Sequence, residues 1–316
     1  MYVRTVAAAA AVLGITLSAL AGPASATPPP LRTGGPKAGP AAAPHAGPKA
    51  PPLAGLLGLP VVYAHRGASA YAPENTLASI DLAARLGMDW VENDVQRTKD
   101  GVLVVIHDDT LKRTTDVQKV FPGRSPWRVK DFTAAEIARL DAGSWFRPEF
   151  AGARIPTLRE YLDRVQLNQG RLLLEVKKPE LYPGIEREIL DLLGSRGWLD
   201  TRHVASRLVV QSFSADSVAL VHRMRPDVVT AFLGAPPEDD LERYAAFSDR
   251  INPWFREINA EWVARVHALQ GPHGKAMEVD TWIVDDADTT QRVVEMGVDG
   301  IISNRPDLVR RTVYGY

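Results

Sequence analysis

The 316-residue sequence contains no cysteine, which excludes disulfides, thiolate zinc sites, iron–sulfur clusters and cysteine nucleophiles together. Any bound metal must therefore be held by oxygen or imidazole. A surplus of one charge is also missing, since 37 Lys and Arg stand against 38 Asp and Glu for a formal charge of −1. Binding dominated by nucleic-acid phosphates needs a basic excess, so nucleic acid is not expected as a partner. The apolar run near the N-terminus, Val6 to Leu20, falls short of the roughly 20 residues that cross a bilayer. The dinucleotide fingerprint G-x-G-x-x-G is absent after the first candidate strand, and Gly55-Leu56-Leu57-Gly58 precedes that strand instead.

What the N-terminus does contain is Arg4, the apolar run, and then Ala24-Ser25-Ala26. That order reads as a signal peptide over 1–26, cleaved near Ala26, with an uncleaved anchor as the alternative. Without a lipobox cysteine to retain the mature chain, the expectation is a secreted, extracellular protein. Residues 27–52 are rich in Pro, Ala and Gly with no apolar periodicity, so a flexible tail is expected there. Residues 53–316 then form one large domain.

In that domain, short apolar runs alternate with amphipathic stretches, the pattern of parallel strands joined by helical crossovers. Strands are expected at 61–65, 89–94, 171–176, 208–212, 228–233, 250–252, 277–284 and 300–303. Helices are expected at 75–86, 157–167, 184–194, 214–224, 239–247, 260–269 and 286–296. Eight strands in a domain of this size predict an α/β fold, a closed (β/α)8 TIM barrel, with an open doubly wound sheet as the alternative.

Val102 to Ile106 breaks the pattern, because it follows the second strand after only Thr98-Lys99-Asp100-Gly101. So short a connection cannot start another parallel strand and must be a hairpin. With Thr98 facing Gly101, Glu92 lies opposite His107, and a three-residue turn with a glycine bulge shifts this by one position. In either register His107 returns to the level of Glu92 and Asp94. Residues 108–156, with Trp127, Trp145, Phe146 and Phe150 and a short helix at 133–140, are too long for a loop and too aromatic for disorder. They predict a small insertion subdomain over the barrel mouth.

Polar residues fall at the C-terminal ends of the strands, where barrel enzymes place their sites: His65 and Arg66, Glu92 and Asp94, Glu175 and Lys177, Gln211 and Ser212. Charges inside runs such as Leu172-Leu173-Leu174-Glu175-Val176-Lys177 cost several kcal/mol if unpaired. A cation facing Glu92, Asp94 and Glu175 compensates them, and carboxylates without thiolates favour one hard divalent ion, Ca²⁺ or Mg²⁺. The competing explanation for each carboxylate is a salt bridge to a nearby Lys or Arg. His65 and His107 lack the spacings of metal-binding histidine pairs and suit proton transfer across a phosphate. Phe213, Trp254 and Phe255 are candidates to line the mouth. Trp282, placed on the seventh strand, is a candidate either to stack on substrate or to pack inside the barrel. Asn75 is expected to cap the first helix.

His65-Arg66-Gly67, Pro73-Glu74-Asn75-Thr76, Glu92-Asn93-Asp94-Val95, Thr98-Lys99-Asp100-Gly101, His107-Asp108, Leu174-Glu175-Val176-Lys177, Gln211-Ser212-Phe213 and Gly297-Val298-Asp299-Gly300-Ile301-Ile302 occur in an order that resembles the glycerophosphodiester phosphodiesterase family, here of a secreted bacterial type. The ordered likeness covers most of residues 61–308. It implies a metal-dependent hydrolase that releases sn-glycerol 3-phosphate and an alcohol from small-molecule glycerophosphodiesters. By position it implies His65 and His107 as the catalytic pair, Glu92, Asp94 and Glu175 as metal ligands, and Arg66 and Lys177 as phosphate-side cations. Gln211, Phe213 and Trp282 complete the expected substrate-binding set. Asn93 and Asp285 depart from the family pattern without touching the histidines or the ligands. The alternatives are a secreted phospholipase D or sphingomyelinase D-like enzyme and, ranked lower, a non-catalytic phosphodiester-binding protein. Transient contact with a membrane or a cell-wall polymer is compatible with this reading, and no obligate protein partner is evident.

Overall fold

A computed structural model describes residues 58–315. The expected signal peptide and most of the expected tail-to-domain junction, including all of 27–52, lie outside the described residues. The first half of the chain forms β1 (Val61–Ala64), α1 (Leu77–Arg85), β2 (Trp90–Arg97), β3 (Leu103–Val105), α2 (Val117–Val120), α3 (Ala134–Ile137), α4 (Leu158–Leu167) and β4 (Arg171–Val176). It continues with α5 (Ile185–Ser195), α6 (Thr201–Ser206), β5 (Leu208–Ser212), α7 (Ala215–Met224), β6 (Val229–Leu233), α8 (Leu241–Ala245) and β7 (Arg250–Asn252). The last part adds α9 (Ala260–His267), β8 (Glu278–Thr281), α10 (Ala287–Glu295), β9 (Gly300–Ser303) and α11 (Pro306–Tyr314).

Strands β1, β2 and β4 to β9 are parallel neighbours, and the pairing of β1 with both β9 and β2 closes them into the expected eight-stranded barrel. Each strand is covered on both faces, which is why β4 reads as the near-continuous apolar run Leu172-Leu173-Leu174. The helices bury one stripe against this wall. In α4 that stripe is Leu158, Tyr161, Leu162 and Val165, and a capping box of Thr157 and Glu160 starts the helix.

The pleat decides where the chemistry goes. Tyr63, Trp90, Leu173, Val209, Ala231 and Ile302 pack together as an apolar plug inside the barrel. Side chains two positions further along a strand point to the same side one layer higher. His65, Glu92, Glu175 and Gln211 are those residues, so the polar site sits directly on the plug at the C-terminal mouth.

Several local expectations need correction. The hairpin uses the three-residue turn, with Gly101 in the left-handed region and Val95 opposite Val105. His107 therefore follows Ile106, whose amide bonds the Asp94 carbonyl, rather than facing Glu92. Helix α1 is capped by Thr76, which accepts from the Ser79 amide, so Asn75 is not its cap. Strand β8 ends at Thr281, which places Trp282 just past the strand, its indole N–H donating to the Asn252 carbonyl at 2.8 Å. Helices α6 and α11 were not foreseen, and α8 is shorter than expected because a 3-10 turn at Glu238–Asp240 precedes it. The insertion has its own core, including Ile106, Leu111, Val129, Phe132, Ile137 and Leu140.

Candidate active site

The turn after β1 is built for close approach. Arg66 has φ 53° and Gly67 φ 81°, and a Cβ on Gly67 would meet Ser79 atoms at 2.5 to 2.7 Å. Only glycine fits there. The bend aims the Arg66 amide at Glu92 Oε2, 2.9 Å away. The second turn, at Asn75 with φ 58°, swings its side chain inward so that Nδ2 donates to Asp94 Oδ2 at 2.8 Å.

Glu92, Asp94 and Glu175 are 2%, 0% and 5% exposed, and each offers a carboxylate oxygen within 4.8 Å of the others. Arg66 Nε lies 3.2 Å from Asp94 Oδ2, and Lys177 Nζ lies 3.2 Å from Asp94 Oδ1 and 2.8 Å from Glu175 Oε1. Burial alone would raise all three acids. For Asp94 the two cations outweigh burial and hold the carboxyl well below its usual range. Glu92 and Glu175 are pushed up by burial and by the neighbouring carboxylates, Glu175 to about 8. The salt bridges that competed with a metal as the explanation are therefore present but do not balance the cluster. One buried cation, Lys177, and one half-buried, Arg66, stand against three buried acids, and Asp94 Oδ1 has Lys177 at 3.2 Å but no well-aligned hydrogen bond, which fits the addition of a hard divalent ion to this oxygen set.

His65 Nδ1 lies 2.7 Å from Asn304 Oδ1. Asn304 Nδ2 donates to Asp285 Oδ2 at 2.7 Å, and Asp285 also accepts from the Asn304 amide and Ser303 Oγ. A carboxylate only accepts, so the Asn304 amide group is oriented and its oxygen must accept from His65 Nδ1–H. That leaves Nε2 as the lone-pair nitrogen, 4.0 Å from Glu92 Oε2. Burial and the Arg66 charge push the His65 pKa down to about 3, so the ring is neutral at physiological pH.

His107 Nδ1 is 2.8 Å from Asp108 Oδ1, so this ring likewise presents Nε2 outward. Its segment is held by Gln96, whose Nε2 lies 2.8, 3.0 and 2.8 Å from the carbonyls of Ile106, His107 and Asp108, while Tyr182 fixes the Gln96 oxygen. Across the mouth, Phe213 is 52% exposed, packs edge-on against Trp282 at 5.7 Å, and lies 5.5 Å from Lys177 Nζ. Gln211 is buried and accepts from Asn252 at 2.8 Å. A cleft of about 490 Å³ opens beside His65, lined by Arg66, Ser69, Trp145, Phe146 and Asn304 among others.

The structure thus gathers His65, Arg66, Glu92, Asp94, Glu175 and Lys177 at one place and sets Gln211, Phe213 and Trp282 on its rim. Sequence reasoning missed Asn75, Gln96, Asp285 and Asn304 as supports. A buried Gln near the end of Trp90–Arg97 was a readable signal for one of them, since a polar group in a covered strand needs a partner.

A (β/α)8 barrel with imidazole, guanidinium, ammonium and a buried acidic triad at its C-terminal mouth is the arrangement of a barrel enzyme that handles an anionic group, with a carboxylate set that could hold a hard cation. The family model described as the glycerophosphoryl diester phosphodiesterase family matches residues 65–308, and the chain belongs to that family. The glycerophosphodiester phosphodiesterase of Bacillus subtilis is 34% identical over 267 residues, covering 80% of this chain and 86% of that protein. The glycerophosphodiester phosphodiesterase of Caldanaerobacter subterraneus subsp. tengcongensis is 36% identical over 252 residues, covering 78% and 95%. Among solved structures, an Oleispira antarctica phosphodiesterase in complex with its product sn-glycerol-3-phosphate superposes with a TM-score of 0.69 at 28% identity, covering 81% of this chain and 97% of that one.

Proposed function

We propose that the protein is a secreted, metal-dependent hydrolase that cleaves glycerophosphodiesters to sn-glycerol 3-phosphate and an alcohol, with His65 and His107 moving the protons. The observation that carries this reading is the convergence of Glu92, Asp94 and Glu175 within 4.8 Å of one another on the rim that also bears both imidazoles. The product bound in the Oleispira enzyme supports the choice of substrate, and the A-x-A site at residues 24–26 supports secretion.

Glu92, Asp94 and Glu175 are the residues that would hold Ca²⁺ or Mg²⁺, whose chemistry there is to neutralise charge on a non-bridging phosphoryl oxygen. Arg66 and Lys177 add fixed positive charge at the same face, in a buried setting where it is worth more than in water. His65, neutral and with Nε2 free, takes a proton from the attacking water as the oxygen–phosphorus bond forms. His107, its Nδ1–H held by Asp108, carries a proton on Nε2 and gives it to the departing alkoxide as the far ester bond breaks. The carboxylate behind His107 stabilises the imidazolium form that this role needs. Phe213 and Trp282 supply an apolar edge for the glycerol or alcohol arm.

The test is to follow sn-glycerol 3-phosphate release from glycerophosphocholine by the purified mature chain, before and after EDTA and with Ca²⁺ or Mg²⁺ restored. Activity that is lost on chelation and regained with the ion is expected. Undiminished turnover after chelation refutes the metal assignment. Turnover of long-chain lysophospholipid or sphingomyelin in preference to glycerophosphocholine replaces this substrate class with the phospholipase D reading.

A further inference from the structure

The insertion subdomain delivers one side chain that joins both halves of the proposed site. Arg113 Nε and Nη2 donate to the two oxygens of Asp108 at 2.7 and 2.9 Å. Its Nη1 and Nη2 also donate to the two oxygens of Glu74 at 2.7 and 2.8 Å. Asp108 holds His107 Nδ1 at 2.8 Å. Glu74 Oε1 accepts from Arg66 Nη1 at 2.8 Å, and Arg66 Nε faces Asp94 at 3.2 Å. The contacts form an unbroken chain, His107–Asp108–Arg113–Glu74–Arg66–Asp94, that runs from one proton-transfer residue to the acidic triad.

Arg113 suits this place for a chemical reason. A guanidinium offers five N–H donors in a rigid fork and pairs with carboxylates two bonds at a time. Here one fork serves two carboxylates from different parts of the chain, the turn before α1 and the segment after β3. Its guanidinium carbon also lies 5.9 Å from the Trp145 ring of the insertion. An exposed ion pair contributes little by itself, and the Arg113 side chain is 43% exposed. Four bonds to two carboxylates, each of which holds a residue of the reaction, are not explained by surface stability.

We infer that Arg113 is a positioning residue for the hydrolysis, a clamp that fixes the Asp108–His107 pair and the Glu74–Arg66 pair relative to each other. This gives the insertion a part in the reaction beyond covering the mouth, and it rests on the function proposed above. Without Arg113, the Asp108 carboxylate loses its only partner besides His107 among the bonds described, and the Glu74 carboxylate is left to Arg66 alone. The imidazole and the guanidinium then lose their common frame, and misplacement of about 1 Å costs on the order of 10²-fold in rate.

The experiment is a mutant cycle on the full chain with glycerophosphocholine and its divalent ion: Arg113→Ala, Asp108→Ala, the double variant, and Arg113→Lys. Arg113→Ala is expected to lower kcat by about 10- to 100-fold and to change KM less than kcat. The double variant should be no more impaired than Asp108→Ala, since the two act in series. Arg113→Lys keeps the charge but not the fork, and should stay within a few-fold of Arg113→Ala while regaining its thermal stability. Effects of Asp108 and Arg113 that multiply, or a kcat that follows stability back to normal in Arg113→Lys, overturn the clamp. A second readout needs no turnover: the His107 Nδ1 proton, held by Asp108, should give a protected downfield NMR signal in the wild type that broadens in Arg113→Ala. An unchanged signal overturns the inference even if the wild type fails to hydrolyse glycerophosphodiesters, whereas that failure alone overturns only the substrate reading.

Discussion

Asp285→Asn tests how the tautomer of His65 is set. In the wild type the Asp285 carboxylate accepts from Ser303 Oγ at 3.0 Å, the Asn304 amide at 2.8 Å and Asn304 Nδ2 at 2.7 Å. A carboxamide at this position keeps the first two acceptor contacts but sets one NH2 group against another at the third. Leaving such donors unsatisfied costs about 1–3 kcal/mol, so Asn304 turns its side-chain amide over instead. Its NH2 then faces His65 Nδ1, which must become the acceptor, and the proton moves to Nε2, where a free lone pair is needed. The catalytically correct tautomer is thereby disfavoured by about 1–3 kcal/mol, which predicts a fall in kcat of about 5- to 160-fold. Adding Asn304→Asp reverses the pattern, because the carboxylate it introduces accepts both from His65 Nδ1–H and from the NH2 group that Asp285→Asn brings. A coupled assay of sn-glycerol 3-phosphate release should show the double variant recovering most of the loss. Asp285→Asn within twofold of wild type, or a double variant no better than the single, would refute the reasoning.

His65→Ala and His107→Ala should each lower turnover by about 10²- to 10⁴-fold, the usual cost of a lost acid or base, and steady-state rates near wild type in either variant would remove that residue from the mechanism. Divalent-ion affinity should fall as pH drops below about 8, because Glu175 is pushed up to about 8 in the ion-free protein and must release its proton when the ion binds. The expected slope is about tenfold per pH unit for one displaced proton. Calorimetric titrations at about pH 6 and pH 7, below that shifted value, in buffers of differing ionisation heat, should record proton release, and a flat affinity without it would contradict the shift.

Much of this site was legible because it violates the environment around it. Glu175 stands out as a charge in the apolar run Leu172 to Val176, and strand alternation places Glu92 and Asp94, two apart on β2, on one face with no knowledge of the helices. The supports were hidden for a different reason. His65 and Asn304 are 239 residues apart, and an Asn in a turn looks the same whether it orients an imidazole or only bends the chain. Asn75 was misassigned because Asn and Thr are both good caps. What decides between them is the pull of Asp94 on the Asn75 amide, a contact that exists only after the barrel closes. Helix α11 was missed because the stretch after β9, with Arg305, Asp307, Arg310 and Arg311, is strongly polar. Its buried residues are only Pro306 and Val309, too few to reveal a helical stripe. Trp282 was drawn into the preceding strand by the apolar continuity of Ile283 and Val284, although the indole N–H belongs to the Asn252 carbonyl across the rim.

The charges at the mouth explain why an excess of acid is tolerated there at all. Glu92, Asp94 and Glu175 supply three negative groups, and Arg66 and Lys177 supply two positive ones. As a metal-free core this arrangement is poor, and it forces Glu92 and Glu175 upward in pKa because buried like charges cannot all ionise. A hydrophobic replacement would serve stability better. A divalent ion turns the same set from a deficit of one positive charge into a surplus of one, and a phosphodiester carries a single negative charge. The site is then balanced only when ion and substrate are both present, so each should tighten the binding of the other. Placing Lys177 between Asp94 and Glu175, rather than removing one acid, keeps that surplus directed at the position where phosphoryl charge develops.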